Sequence, residues 1–241
     1  MEKVISPPIP SLAGFTPKKI VARVLLAELD EPASAVMRDC FKQFSIQAVS
    51  SNGATEKRLQ KEKFEACVVQ LSRPDAESVL HAARNSLSNS RIVIYGLSRH
   101  GQEAMRFSKF GVNAVIDHPV DRQTMLKVVR STHLLVVHEL RRYVRLPVVT
   151  EVRVSYGKYS FRTTSLEISA GGMSIRSDVR LAQGQPLEVT FSLPPRGKTV
   201  VTRAIVCWKR EPANIFGIRF HPADHRRLEV KSWIDSYLEI G

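Results

Sequence analysis

The chain has little cysteine. Cys40, Cys67 and Cys207 are three in 241 residues, odd in number and far apart. That excludes a disulfide framework, and without a CxxC or a Cys/His cluster at ligand spacing it excludes the usual zinc sites. Cys67 stands in the apolar run Ala66-Cys67-Val68-Val69, where a free cysteine acts as a small core residue. Long apolar runs are also missing. No stretch approaches the ~20 residues that span a bilayer, and Pro7, Pro8 and Pro10 interrupt any signal-peptide core. A cytoplasmic protein with no membrane span is expected. GxSxG, P-loop and paired-carboxylate patterns are absent, and the seven histidines show no ligand spacing. The expectation is a binding protein and not an enzyme, with no catalytic residue, no metal and no resident cofactor.

Acidic residues are scarce beside basic ones: 23 Asp and Glu against 36 Lys and Arg, a net charge of +13. Such an excess points to an anionic partner, whether nucleic acid, nucleotide or acidic membrane. The excess is spread evenly, with 19 basic and 13 acidic residues in 1–136 and 17 and 10 in 137–241. It is therefore no basic tail, and part of it is an ordinary solvated surface.

Residues 1–18 hold four prolines and no periodicity and read as a flexible tail. From Ile20 apolar runs alternate with helical patterns. Strands are expected at Ile20–Ala27, Ile46–Val49, Ala66–Val69, Arg91–Tyr95 and Ala114–Ile116. Helices are expected at 32–44, 53–63, 75–87 and 101–110, and a long one from Asp121 almost to Arg141. This order predicts an α/β domain over 19–138, flavodoxin-like, with a doubly wound parallel sheet of five strands. From residue 139 to 241 the pattern changes to six β-branched segments separated by Gly, Pro, Asn or Asp turns. It predicts an all-β, six-stranded antiparallel barrel, closed by a C-terminal helix over 224–240. Trp208 and Trp233 read as packing residues of that barrel and helix.

Two short motifs carry the chemistry. Arg141-Arg142-Tyr143-Val144-Arg145 sets two arginines four positions apart at the junction of the halves. Glu167-Ile168-Ser169-Ala170-Gly171-Gly172 is a small, polar turn between two strands. A guanidinium forks onto a phosphate or onto the O6 and N7 edge of guanine, and it also stacks on a base. Glycines beside a serine let backbone approach a flat ligand. In an extended linker, Arg141 and Arg145 would wrap a guanine nucleotide docked on the barrel, with Arg142 as a third contributor. The simpler reading is that the arginines cap the negative end of a long helix and the turn is only a turn.

On Arg141, Arg145, Pro147, Ser169, Gly172 and Phe216-Gly217-Ile218-Arg219-Phe220, residues 139–236 resemble a PilZ domain, the bacterial receptor for cyclic di-GMP. The resemblance implies a site made of Arg141, Arg142, Arg145, Glu167, Ser169, Gly171 and Gly172, with cyclic di-GMP as ligand. Glu167 departs from the family's Asp or Asn. Its extra methylene shifts the carboxylate by ~1.5 Å, so a lower affinity is expected.

The first half resembles the receiver domain of bacterial response regulators over about 120 residues. The likeness lies in the segments 24–32, 64–74 and 111–119. Receiver chemistry implies a phosphate-accepting Asp, an acidic pair for magnesium, a Lys and a Ser or Thr. Here these positions read Gln70, Leu29 with Asp30, His118 and Gly96. A pseudo-receiver without phosphotransfer is expected, docking a protein partner or a second copy. The whole reads as a cyclic di-GMP effector in which nucleotide orders the arginine segment and passes a signal through the pseudo-receiver. The alternatives are a nucleic-acid-binding transcriptional regulator, for which no helix-turn-helix is found, and an adaptor with a degenerate nucleotide site.

Overall fold

The computed structural model describes residues 20–51, 53–99, 101–194 and 197–240. The proline-rich tail lies outside them. In the first half, β1 (Ala22–Ala27), β2 (Ile46–Ser51), β3 (Ala66–Gln70), β4 (Val93–Ser98) and β5 (Ala114–Asp117) form one parallel sheet in the order β2-β1-β3-β4-β5. The connecting helices are α1 (Glu31–Lys42), α2 (Thr55–Lys61), α3 (Ala76–Asn85), α4 (Gly101–Arg106) and α5 (Arg122–Tyr143). Strands buried on both faces read as nearly continuous apolar runs, and β1, β3 and β4 do so, interrupted by Arg23, Gln70, Gly96 and Ser98. Val24, Leu26, Val68, Tyr95 and Leu97 face a core with Met37, Phe41, Met125 and Val129. Leu25, Cys67, Val69 and Ile94 face the other core, with Leu59, Leu80, Phe107 and Phe110.

Helix boundaries follow local chemistry. Asp30 caps α1, its Oδ1 accepting from the Ala33 N–H at 2.8 Å, with Pro32 in the first turn. Asp121 caps α5 in the same way, through Thr124 N–H at 2.7 Å. The helix expected over 101–110 stops at Arg106 and gives way to a 3-10 turn over Ser108–Phe110, closed by Gly111 at φ +63°. The two buried rings, Phe107 and Phe110, are three apart, the spacing that a 3-10 turn stacks on one side.

The second half is a closed barrel. Its strands are β6 (Glu151–Tyr156), β7 (Tyr159–Ser169), β8 (Gly172–Arg176), β9 (Pro186–Leu193), β10 (Lys198–Arg210) and β11 (Ile215–Phe220), in the order β10-β11-β8-β7-β6-β9. Inward residues alternate along each strand. Val152, Val154, Ile168, Met173, Ile175, Val189, Phe191, Val200, Ile218 and Phe220 fill the interior, where the Phe191 and Phe220 rings stack at 6.0 Å. The C-terminal helix α6 (Arg227–Ile240) contributes Val230 and Ile234 to this core, and Trp233 Nε1 donates to Pro194 O at 2.6 Å. α5 runs unbroken past residue 138 and carries the chain into the barrel half.

Candidate functional site

The arginine motif begins inside a helix. Arg141 and Arg142 occupy the last turn of α5, not an extended linker, and the chain leaves the helix at Val144. Two residues later the backbone is captured by the barrel. Leu146 N–H donates to Ile168 O and Ile168 N–H to Leu146 O, both at 2.8 Å, an antiparallel bridge. Continuing that register sets Arg145 across from Ser169 and Pro147 across from Glu167. Leu146, Val148 and Ile168 are buried while Arg145 and Glu167 are exposed, as side-chain alternation requires. A bulge between Ser165 and Glu167 on β7 re-aims the strand just before Glu167.

The turn joins β7 to β8, with Ser169 paired to Gly172. Ser169 Oγ donates to Gly172 O at 3.0 Å and is nearly covered. Its proton is spent closing the turn. The two glycines divide their work. A Cβ on Gly172 would stand 2.1 Å from Ile218 O and 3.0 Å from Arg219 Cα, so this position must be bare for β8 to lie against β11. A Cβ on Gly171 would meet nothing within 4 Å. Gly171 is exposed, and its carbonyl accepts from Phe220 N–H at 2.9 Å. Only Gly171 therefore opens onto free space.

The first two arginines are held by carboxylates. Arg141 Nε lies 3.2 Å from Asp235 Oδ1 on α6, and Lys231 Nζ lies 3.7 Å from Asp235 Oδ2. Arg142 Nη1 lies 2.9 Å from Glu139 Oε2, and Glu139 Oε1 is 2.9 Å from Lys63 Nζ, which comes from the loop before β3. The Glu139 side chain is only 4% exposed, and the Lys63 ammonium also sits over the Tyr143 ring at 4.0 Å. Burial pushes the Lys63 amine below its usual range, while Glu139 opposes that shift. Arg141 also lines a cavity of about 370 Å³ with Phe44, His133, Val137, Leu140 and Leu238. The structure thus gathers Arg145, Glu167, Ser169, Gly171 and Gly172 on one patch and turns Arg141 and Arg142 to internal partners.

The family model described as the PilZ domain matches residues 139–238. Residues 139–238 are a PilZ domain. Among solved structures the chain is similar to the Bacillus subtilis inhibitor of motility MotI/DgrA, at 22% identity and a TM-score of 0.35, over 41% of this chain and 51% of that one. It thus spans about half the length of MotI/DgrA. It is similar to the PilZ domain of CeSA from a cellulose-synthesizing bacterium, at 14% identity and a TM-score of 0.31, over 40% and 95% of the two chains. It is also similar to the chemotaxis response regulator CheY4 of Vibrio cholerae, at 14% identity and a TM-score of 0.42, over 46% and 98%. Comparison with the curated proteins gives no match.

On the PilZ barrel the register adds two residues that the sequence reading leaves out. β8 and β11 pair Gly172 with Arg219. The row Arg145–Ser169–Gly172–Arg219 therefore crosses the outer face, with both arginines exposed. In the neighbouring row Glu167 pairs with Ser174, Ser174 with Gly217 and Gly217 with Trp208. Trp208 is not a packing residue of the interior. It is 40% exposed, and its indole lies over Gly217, where a Cβ would stand 2.0 Å from Cε2. The Arg210 guanidinium is 5.8 Å from the same ring. The signal was present in Phe216-Gly217-Ile218-Arg219-Phe220, because strict alternation turns Gly217 and Arg219 outward. Trp233 packs as expected, against α6 neighbours and the barrel.

The carboxyl end of the sheet, where ligands of open α/β folds bind, is occupied by its own side chains. Gln70 ends β3. Asp30 is taken up by the α1 cap and by His118 Nε2, 3.1 Å from its Oδ2. The Ala33 N–H, and after it His118, holds the Asp30 carboxyl below its usual range against partial desolvation. Arg73 bridges Glu28 at 3.0 Å and Asp75 at 2.9 Å, a guanidinium among the strand-end carboxylates. β4 carries Gly96 and runs on to Ser98, whose Oγ donates to Glu103 Oε2 at 3.0 Å. Among the described residues no three His, Cys, Asp or Glu side chains gather as a metal site, and no helix is long and apolar enough to cross a membrane.

Proposed function

We propose that this chain is a cyclic di-GMP-binding effector that acts by binding and not by catalysis. Its ligand site is the outer patch of the PilZ barrel around Arg145, Glu167, Ser169, Gly171 and Gly172. Arg141 is recruited to it from the end of α5. The observation that carries this reading is the Leu146–Ile168 bridge. It brings Arg145, which has no ion-pair partner among the described residues, across from the turn of the other motif, inside a PilZ domain. A guanidinium there forks onto a phosphate or a guanine edge. Trp208 and Arg219 supply an aromatic face and a second cation beside it. The receiver-like domain, with Gln70 at the acceptor position and Arg73 among its carboxylates, serves as a phosphorylation-incompetent docking module for a protein partner or a second copy.

Calorimetric titration of the full chain with cyclic di-GMP tests the reading. Saturable heat is expected, and it should vanish in Arg141→Ala/Arg145→Ala. No heat with the intact protein refutes it. A second reading, an adaptor with a closed nucleotide site, is favoured by the pairing of Arg141 and Arg142 with Asp235 and Glu139. The same titration separates the two.

A further inference from the structure

The three arginines of the motif are not equally available. Arg145 is exposed. Arg142 shares Glu139 with Lys63, and that carboxylate is 4% exposed. Taking Arg142 away would leave a buried charge short of one of its two cations, a costly change. Arg141 faces a different partner. The Asp235 carboxylate is 22% exposed and keeps Lys231 at 3.7 Å, one turn away on the same helix. Departure of Arg141 leaves Asp235 near a second cation and near water. α6 itself is anchored, since Val230 and Ile234 are buried in the barrel. In any exchange the arginine moves and the carboxylate stays.

We propose that Asp235 is an intramolecular competitor for Arg141. Nucleotide binding exchanges the Arg141–Asp235 pair for an Arg141–phosphate pair, and Asp235 thereby sets the affinity of the site. The inference rests on the cyclic di-GMP reading and adds the residue that regulates it. A phosphate can accept two parallel hydrogen bonds from a guanidinium, so the exchange is favourable when ligand is present, and the carboxylate holds the arginine when it is not. Arg141 is the residue that moves, and Arg142 remains on Glu139.

The test is calorimetry with cyclic di-GMP on the full chain. Asp235→Asn should tighten binding about fivefold, or about 1 kcal/mol. Glu229→Gln, which removes the same charge from α6 where it pairs with Lys198 at 3.3 Å, should stay within about twofold of wild type, the range of an exposed pair. Lys231→Ala takes away the second cation beside Asp235, strengthens its hold on Arg141 and should weaken binding about twofold to threefold, which keeps the proposal open to refutation if Asp235→Asn does not fold. Unchanged or weaker binding by Asp235→Asn overturns it, as does equal tightening by Glu229→Gln. Silence from wild type removes the cyclic di-GMP reading and the competitor with it.

Discussion

Gly171 and Gly172 are adjacent, yet alanine at each should have opposite consequences. At Gly172 a Cβ would stand 2.1 Å from Ile218 O, a backbone atom, where ordinary contact begins at 3.4 Å. β8 and β11 would have to separate by more than 1 Å, and the Gly172–Arg219 register would loosen. Overpacking of this kind costs ~1–3 kcal/mol, and each weakened ladder hydrogen bond adds ~1 kcal/mol. The total is about 3 kcal/mol. For the domain of residues 139–238 that is a fall in Tm of roughly 15 °C. At Gly171 the same methyl meets nothing within 4 Å and no left-handed φ is involved, so Tm should stay within about 2 °C of wild type. Thermal unfolding followed by circular dichroism reads both. Gly172→Ala at wild-type Tm would refute the close approach of β8 and β11 described above. Because Gly171→Ala leaves the fold intact, it also probes the ligand face cleanly: added bulk there should weaken nucleotide binding several-fold.

Two further expectations concern stability and one concerns chemistry. Ser169→Ala removes the Oγ donor to Gly172 O and should cost about 1 kcal/mol, read as a shift in the denaturation midpoint without a change in slope; no shift would show that the turn does not depend on the hydroxyl. Asp224, 5% exposed, accepts from Arg226 Nη2 at 2.9 Å and from Arg203 N–H at 2.9 Å, and these donors, the Arg226 side chain first, hold its carboxyl well below the usual range. A depressed carboxyl stabilises the fold fully above its unfolded pKa of ~3.9 and loses that contribution as pH falls further; Tm of wild type should therefore drop more steeply than that of Asp224→Asn between pH 5 and pH 2, and parallel curves would contradict this. Acetyl phosphate should leave no stable phosphoryl adduct on the receiver-like domain by intact mass, since Gln70 stands at the end of β3; such an adduct would overturn the pseudo-receiver assignment.

Elements with strong local signals were legible. The apolar run Ile20–Ala27 and its four successors became the parallel sheet, and alternation around Gly and Pro turns became the closed barrel. What stayed hidden was pairing at long range. Nothing near Arg141 in the chain points to Asp235, 94 positions away, because an ion pair across elements leaves no periodicity. Glu139 was partly legible: it continues the buried face Met125, Val129, Thr132, Val136 of α5, and a carboxylate at such a position demands a partner. Asp30 read only as the surviving carboxylate of a receiver's acidic pair, though as the residue before the first helical turn it was well placed to cap α1. The two glycines could not be told apart, since the sequence shows that side chains are absent and not which neighbour requires it.

The distribution of paired and unpaired charge explains why an anion would prefer the barrel to the sheet. In the first domain, several cations serve carboxylates of the same domain: Arg73 with Glu28 and Asp75, Arg58 and Arg23 with Glu62, Arg122 with Asp39, Lys109 with Glu77. Glu62, held by Arg58 and then Arg23, is lowered to about 2, so it stays ionised and paired at any ordinary pH. A phosphate arriving at the strand ends would meet Arg73 already engaged by two carboxylates. Across the outer face of the barrel, Arg145 and Arg219 have no ion-pair partner among the described residues, and they flank a turn with open space above Gly171. An anion docking there would meet these two guanidinium groups without first displacing a carboxylate from them. Asp235 and Glu139 are instead used on Arg141 and Arg142. The patch is therefore biased towards anions, while the reserve of arginine that would complete it is kept neutralised one helical turn away.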